Sequence, residues 1–168
     1  MKRSLFQKRS LFQKRSLIKR GLLILALCWL WWQAPISVAF SVGPDLVLVA
    51  SSASTLAPLT PEEVRKLYLG IPLFNNGQTI KPLLNHSDGY LQEVFMQKVM
   101  FMSTPAYERQ ILSRVFRMGG NRPPAYAGLH KLLNALKSDP STLTYMYSDE
   151  ASAHPELKIV GTLWEEQD

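Results

Sequence analysis

Blocks of apolar and polar residues succeed one another along this chain, and their changing period predicts the elements. Leu46-Val-Leu-Val-Ala50 is apolar at every position, between Pro44-Asp45 and the polar run Ser51-Ser-Ala-Ser-Thr55. A strand apolar on both faces is expected to be buried between two layers, as in parallel sheets. Thr60-Pro61-Glu62-Glu63 then opens a helix: Thr60 suits the N-cap, Pro61 the first turn, and Glu63 completes a capping box. Val64, Leu67 and Tyr68 form its apolar face, and Gly70 stops it. Asn75-Asn76-Gly77 reads as a turn, because Asn and Gly adopt positive φ at little cost.

A strand is expected over 79–84, with Pro82 marking an edge or an end. The polar turn Asn85-His86-Ser87-Asp88-Gly89 leads into a helix over about 90–102, with Leu91, Val94, Phe95, Val99 and Met102 at helical spacing. Ser103-Thr104-Pro105 starts another, whose apolar set is Tyr107, Ile111, Leu112, Val115 and Phe116 and whose end is Gly119-Gly120. A further helix after Arg122-Pro123-Pro124 carries Leu129, Leu132, Leu133 and Leu136, and Asp139-Pro140 breaks it. Strands over 143–147 and 157–163 close the chain. The order β-α-β-α-α-α-β-β predicts an α/β fold, a small sandwich on a mixed sheet.

Charge changes the picture at the amino terminus. Eight of the nineteen basic residues lie in the first twenty positions, and the first acidic residue is Asp45. From residue 40 onward, eleven bases face thirteen acids, a formal balance of −2. The net +6 therefore belongs to a leader, and no basic stripe for nucleic acid is left in the remainder. Gly21 to Trp32 carries no charge or polar side chain, and Ser37-Val38-Ala39 supplies small residues before a cut. Residues 1–39 thus read as a signal peptide, leaving a domain over 40–168 destined for the periplasm. The alternative is an uncleaved inner-membrane anchor over 21–40, which reaches spanning length but is interrupted by Gln33 and Pro35. Apart from that leader nothing points to a membrane. Lys-Arg-Ser-Leu repeats at 2, 8 and 14, a six-residue period that matches no heptad or solenoid and reads as a short duplication.

Cys28 is the only cysteine and falls within the leader, so the domain has no thiol or disulfide chemistry. His86, His130 and His154 are scattered, without ligands at metal spacing, and neither a metal nor a cofactor is expected. No nucleophile elbow, phosphate loop or dinucleotide motif is present, which argues against an enzyme.

Leu46–Ser52 followed by Leu59-Thr-Pro-Glu-Glu-Val-Arg-Lys-Leu-Tyr-Leu-Gly70 resembles the substrate-binding proteins of phosphate ABC transporters. Ser103-Thr-Pro-Ala-Tyr107 and Phe116-Arg-Met-Gly-Gly-Asn-Arg-Pro-Pro124 are similar, in the same order, to short one-lobe relatives of those proteins. Thr142-Leu-Thr-Tyr145 stands where they have a glycine-containing strand. The resemblance spans about 45–163 and implies one lobe of a type 2 periplasmic binding protein. It further implies a small oxyanion such as phosphate, held by hydroxyls and helix N-termini, and a transporter or another envelope protein as partner. Two departures weaken the ligand: Asn85-His86-Ser87-Asp88-Gly89-Tyr90 lacks the arginine and the Ser-Gly-Thr of the phosphate loop, and the glycines of the late strand are missing.

The candidate ligand-binding residues follow. Ser51, Ser52, Ser54 and Thr55 succeed the first strand, where α/β ligands usually sit, although the segment also reads as an ordinary polar loop. Ser87 and Gly89 precede a helix, but Asp88 between them is a good N-cap and would take the donors an anion needs. Arg114, Arg117 and Arg122 bracket the Gly-Gly turn; they suit oxyanions, and equally the end of a helix dipole. The first reading is an exported solute-binding-type domain with a weak oxyanion site. The second is an envelope interaction module that keeps the fold without the ligand.

Overall fold

A computed structural model describes residues 44–165, so the expectations for residues 1–39 lie outside the described residues. In chain order the elements are β1 (Leu46–Ser51), α1 (Pro61–Tyr68), β2 (Phe74–Asn75), β3 (Gln78–Thr79), β4 (Lys81–Pro82) and β5 (Leu84–Asn85). There follow α2 (Gly89–Val94), α3 (Thr104–Met118), β6 (Ala125–Tyr126), α4 (Leu129–Ser138), β7 (Thr142–Tyr147), α5 (Ser148–Ser152) and β8 (Leu157–Trp164). A π-helical turn, Phe95–Val99, continues α2.

The main sheet is mixed, in the order β4-β7-β1-β8. β4 runs parallel to β7, whereas β1 is antiparallel to both of its neighbours. Every residue of β1 is buried, as its apolar run requires, but the expected parallel pairing is not found. The reason lies in the layers. Leu46, Leu48 and Ala50 pack with α1, α3 and the π turn, while Val47 and Val49 pack with α4 and α5. Helices on both faces demand apolar residues on both, whichever way the strand runs.

α1 forms as its sequence dictates. Thr60 Oγ1 accepts from the Glu63 N–H at 3.3 Å, and the Glu63 carboxylate accepts from the Thr60 N–H at 2.9 Å, completing the capping box. The Asn76-Gly77 turn has φ of 49° and 78° and closes a two-residue hairpin between β2 and β3. Beyond it, the single strand expected over 79–84 is divided. Thr79 belongs to the hairpin, Lys81–Pro82 pairs with β7, and Leu84–Asn85 pairs with β6. Pro82 lies on the outermost strand of the main sheet, where its missing N–H costs least.

The first core centres on aromatic rings. Phe95 stacks on Tyr145 at 3.7 Å and 4°, and Tyr68 meets Phe95 edge-on at 4.9 Å. α3 departs from its pattern: Tyr107 and Ile111 are buried, but Leu112 is 47% and Phe116 85% exposed. Five apolar residues make too wide a stripe for one packed face, and Tyr107 and Ile111 alone take it.

Candidate functional site

Because β1 runs against β4 and β7, the structure divides the candidate hydroxyls between opposite ends of the sheet. Ala50 pairs with Leu143 at the start of β7, and Leu46 pairs with Tyr147 at its end. Ser51, Ser52, Ser54 and Thr55 therefore sit where β4 and β7 begin. Ser87 and Gly89 follow β5, whose Asn85 is hydrogen-bonded to Tyr145 toward the far end of β7. Four strand residues separate those ends by roughly 13 Å. One small anion cannot touch both groups.

Each group is also engaged locally. Ser51 and Ser54 are buried, and their hydroxyls accept from the N–H groups of Ala53 and Leu56, two residues on. Lys158 donates to the Ser54 carbonyl, and Asn76 donates to that of Thr55 at 2.6 Å. At the other end, Asp88 caps α2, accepting from Tyr90 at 2.7 Å and Leu91 at 3.4 Å. The Ser87 hydroxyl and N–H both donate to the buried Asn85 side chain, at 2.5 and 3.0 Å. The carboxylate thus occupies the donors at the start of α2, as its N-cap position predicts.

The arginines diverge as well. Arg117 folds back on its own helix, donating to Ser113 Oγ at 2.5 Å and to the Ser113 carbonyl at 3.3 Å. Arg122 pairs with Glu108 at 2.5 Å. Arg114 donates through Nε to the Gly70 carbonyl at 3.2 Å and, among the described residues, forms no ion pair with an acid. Gly70 permits that approach. Its φ is +82°, and a Cβ there would lie 3.3 Å from both Arg114 Cδ and Ile111 Cδ1.

Arg114 and Arg122 line an open groove of about 850 Å³, between the end of α1, the 79–83 segment, the 118–124 turn and the end of α4. Its walls are largely apolar, with Ile71, Pro72, Ile80, Pro82, Met118 and Pro123. Lys81 and Asp139 also line it and pair with each other at 2.7 Å. The Lys81 bond, and then those from Ser141, hold the Asp139 carboxyl down at about 2, so this carboxylate stays ionised at neutral pH. The sequence reading missed Lys81 and Asp139, because one lies in a strand and the other reads only as a breaker before Pro140. Nothing local announces that a pair 58 residues apart will meet.

Among the described residues, the remaining titratable groups do not form a catalytic constellation. Burial pushes the phenols of Tyr68, Tyr107 and Tyr145 up, so they stay protonated and donate to the carbonyls of Leu83, Tyr68 and Asn85. Burial first, and then the nearby Arg122 charge, hold His86 below the usual imidazole value. It is therefore mostly neutral at pH 7 and offers an anion little charge. Among the described residues no three His, Cys, Asp or Glu side chains gather as a metal site.

A mixed sheet with helices on both faces makes this a single-lobe α/β fold. The structure is similar to a crystal structure of an ABC-type phosphate transport receptor from Vibrio cholerae, with a TM-score of 0.51 and 12% sequence identity. The match covers 70% of this chain and 45% of the receptor, so the chain spans less than half of that protein's length. At this identity the likeness shows the fold. No family model matches the sequence, and no curated protein is similar to it in sequence.

Proposed function

We propose that this chain is an exported solute-binding-type domain that holds a small oxyanion such as phosphate weakly, at Arg114 in the groove. The observation that carries this reading is the partly buried guanidinium, which has no acidic partner among the described residues and is fixed at Gly70 in an open cleft. The fold similarity to a phosphate transport receptor and the basic, apolar leader support it. The same surroundings favour binding over catalysis: a cation and apolar walls can orient a ligand, and the carboxylate in the groove, Asp139, is tied to Lys81 and Ser141.

The weakness has a physical cause. At the start of α2, where the resemblance would seat the anion, Asp88 already holds the N–H donors. Two like charges about 4 Å apart cost about 4 kcal/mol at an effective dielectric near 20. Each 1.4 kcal/mol or so is tenfold in affinity. Phosphate is thereby kept from α2 and left with Arg114 alone. The same capped helix, together with the exposed Phe116 and Leu112, favours a second reading, an envelope interaction module that contacts a transporter or another protein without a ligand.

N-terminal sequencing of the exported protein should give Phe40 in the periplasmic fraction, whereas an intact leader in the membrane fraction would establish the anchor. Calorimetric titration with phosphate should give a millimolar Kd that is lost in Arg114→Gln, whereas Asp88→Ser, which frees the α2 donors, should add binding. Submicromolar binding, or an Arg114→Gln protein that binds as well as the parent, would contradict the reading. Silence from all three proteins would place the interaction module ahead.

A further inference from the structure

The groove is much larger than a phosphate ion requires. At about 850 Å³ it falls in the range of pockets that enclose organic ligands, roughly 300–1,000 Å³. A tetrahedral oxyanion at Arg114 would leave most of its apolar wall in contact with water. The charges around it are also nearly balanced. Lys81 is neutralised by Asp139 within the groove, and Arg122 by Glu108, so Arg114 alone supplies uncompensated charge to an occupant. One positive charge matches a monoanion better than a phosphate dianion.

The guanidinium is, in addition, held by one edge. Nε donates to Gly70, so the hydrogen bonds left to Arg114 come from its two terminal nitrogens. That end of the fork presents two parallel N–H groups, the geometry that a carboxylate accepts with both oxygens. Ile71, Ile80, Met118 and Tyr126 line the same groove and offer surface to a hydrocarbon body. We infer that the groove binds a soluble organic carboxylate with an apolar body, its head on Arg114 and its chain along the apolar wall. This rests on the placement of an anion at Arg114, and it replaces the inorganic ion by an amphiphile as the better ligand.

The test is a calorimetric series on the purified protein with acetate, butanoate, hexanoate and octanoate, each below its micelle concentration, beside inorganic phosphate. A buried methylene is expected to tighten binding about two- to fourfold, so octanoate, with about four more methylenes, should bind roughly 16–256 times more tightly than butanoate. Arg114→Gln should weaken octanoate at least tenfold, and 1-octanol should bind the parent no better than octanoate binds that variant. Ala135→Phe, which places a ring against the groove wall, should abolish the dependence on chain length while sparing phosphate. If Ala135→Phe does not fold, the chain-length series on the parent decides alone.

A flat series overturns the inference and leaves the phosphate reading intact if phosphate still binds. A steep series without detectable phosphate binding supports the inference and removes phosphate as the ligand. Equal affinity for octanol and octanoate denies Arg114 its role. Co-sedimentation with vesicles of anionic lipid, in place of saturation by monomeric octanoate, would move the site to a membrane and overturn the assignment of a soluble ligand.

Discussion

Phe95→Ala should lower the unfolding free energy by about 3–5 kcal/mol, a loss large enough to leave little folded protein at 37 °C. Phe95 is fully buried, stacked on Tyr145 at 3.7 Å and met edge-on by Tyr68. It lies in the π-helical turn, on the face that packs against β1, so truncation empties the centre of the larger core rather than its margin. The removed ring contributes both buried area and aromatic contacts worth about 0.5–1.5 kcal/mol each. Phe95→Leu should cost about half as much, because it refills part of the volume. Equilibrium denaturation in urea measures both. A loss under about 1 kcal/mol for the alanine variant would mean that the three rings do not meet.

Asn85→Ala should cost about 2–4 kcal/mol, more than its size suggests, because it orphans partners instead of emptying space. The side chain is fully buried, donates to the Tyr145 carbonyl at 3.1 Å, and accepts from Ser87 through both its N–H and its hydroxyl. Tyr145 returns a bond to the Asn85 carbonyl at 3.0 Å, so the turn before α2 is tied to β7 in both directions. Asn85→Asp keeps the acceptor for Ser87 and replaces the donor by an acceptor, and should be at least as damaging. Hydrogen exchange should show the amides of 86–91 losing protection first in either variant. Unchanged protection there would show that the turn is held by something else.

How much of this was legible in the sequence depended on range. The capping box at Thr60 and Glu63, the Asn76-Gly77 turn and the Asp88 cap are written within four residues, and each forms as read. The mixed α/β class was legible too, because periodicity reports which faces are covered, and the resemblance added its one-lobe extent. Strand direction was not: an apolar run such as Leu46–Ala50 records burial on two faces and carries no sign of what lies beside it. The sequence therefore did not show that the antiparallel β1 sets the hydroxyls of 51–55 and those of 87–89 at opposite ends of the sheet. Of the three candidate arginines, all suited to anions by type, only Arg114 both lines the groove and lacks an acidic partner among the described residues. The difference lies in Glu108, which meets Arg122 from 14 residues away, and in Ser113, which takes Arg117 from one helical turn earlier. The short elements β6 and α5 were missed because two to five residues carry too little pattern to register.

The central claim is that an anion is held in the groove at Arg114 and not at the start of α2. Amide NMR of the labelled protein during titration with phosphate tests it most directly. The account predicts shifts confined to Gly70, Arg114 and the 119–122 turn, with Ser87, Gly89, Tyr90 and Leu91 still. Shifts at 87–91 that leave Gly70 and Arg114 unmoved would contradict it.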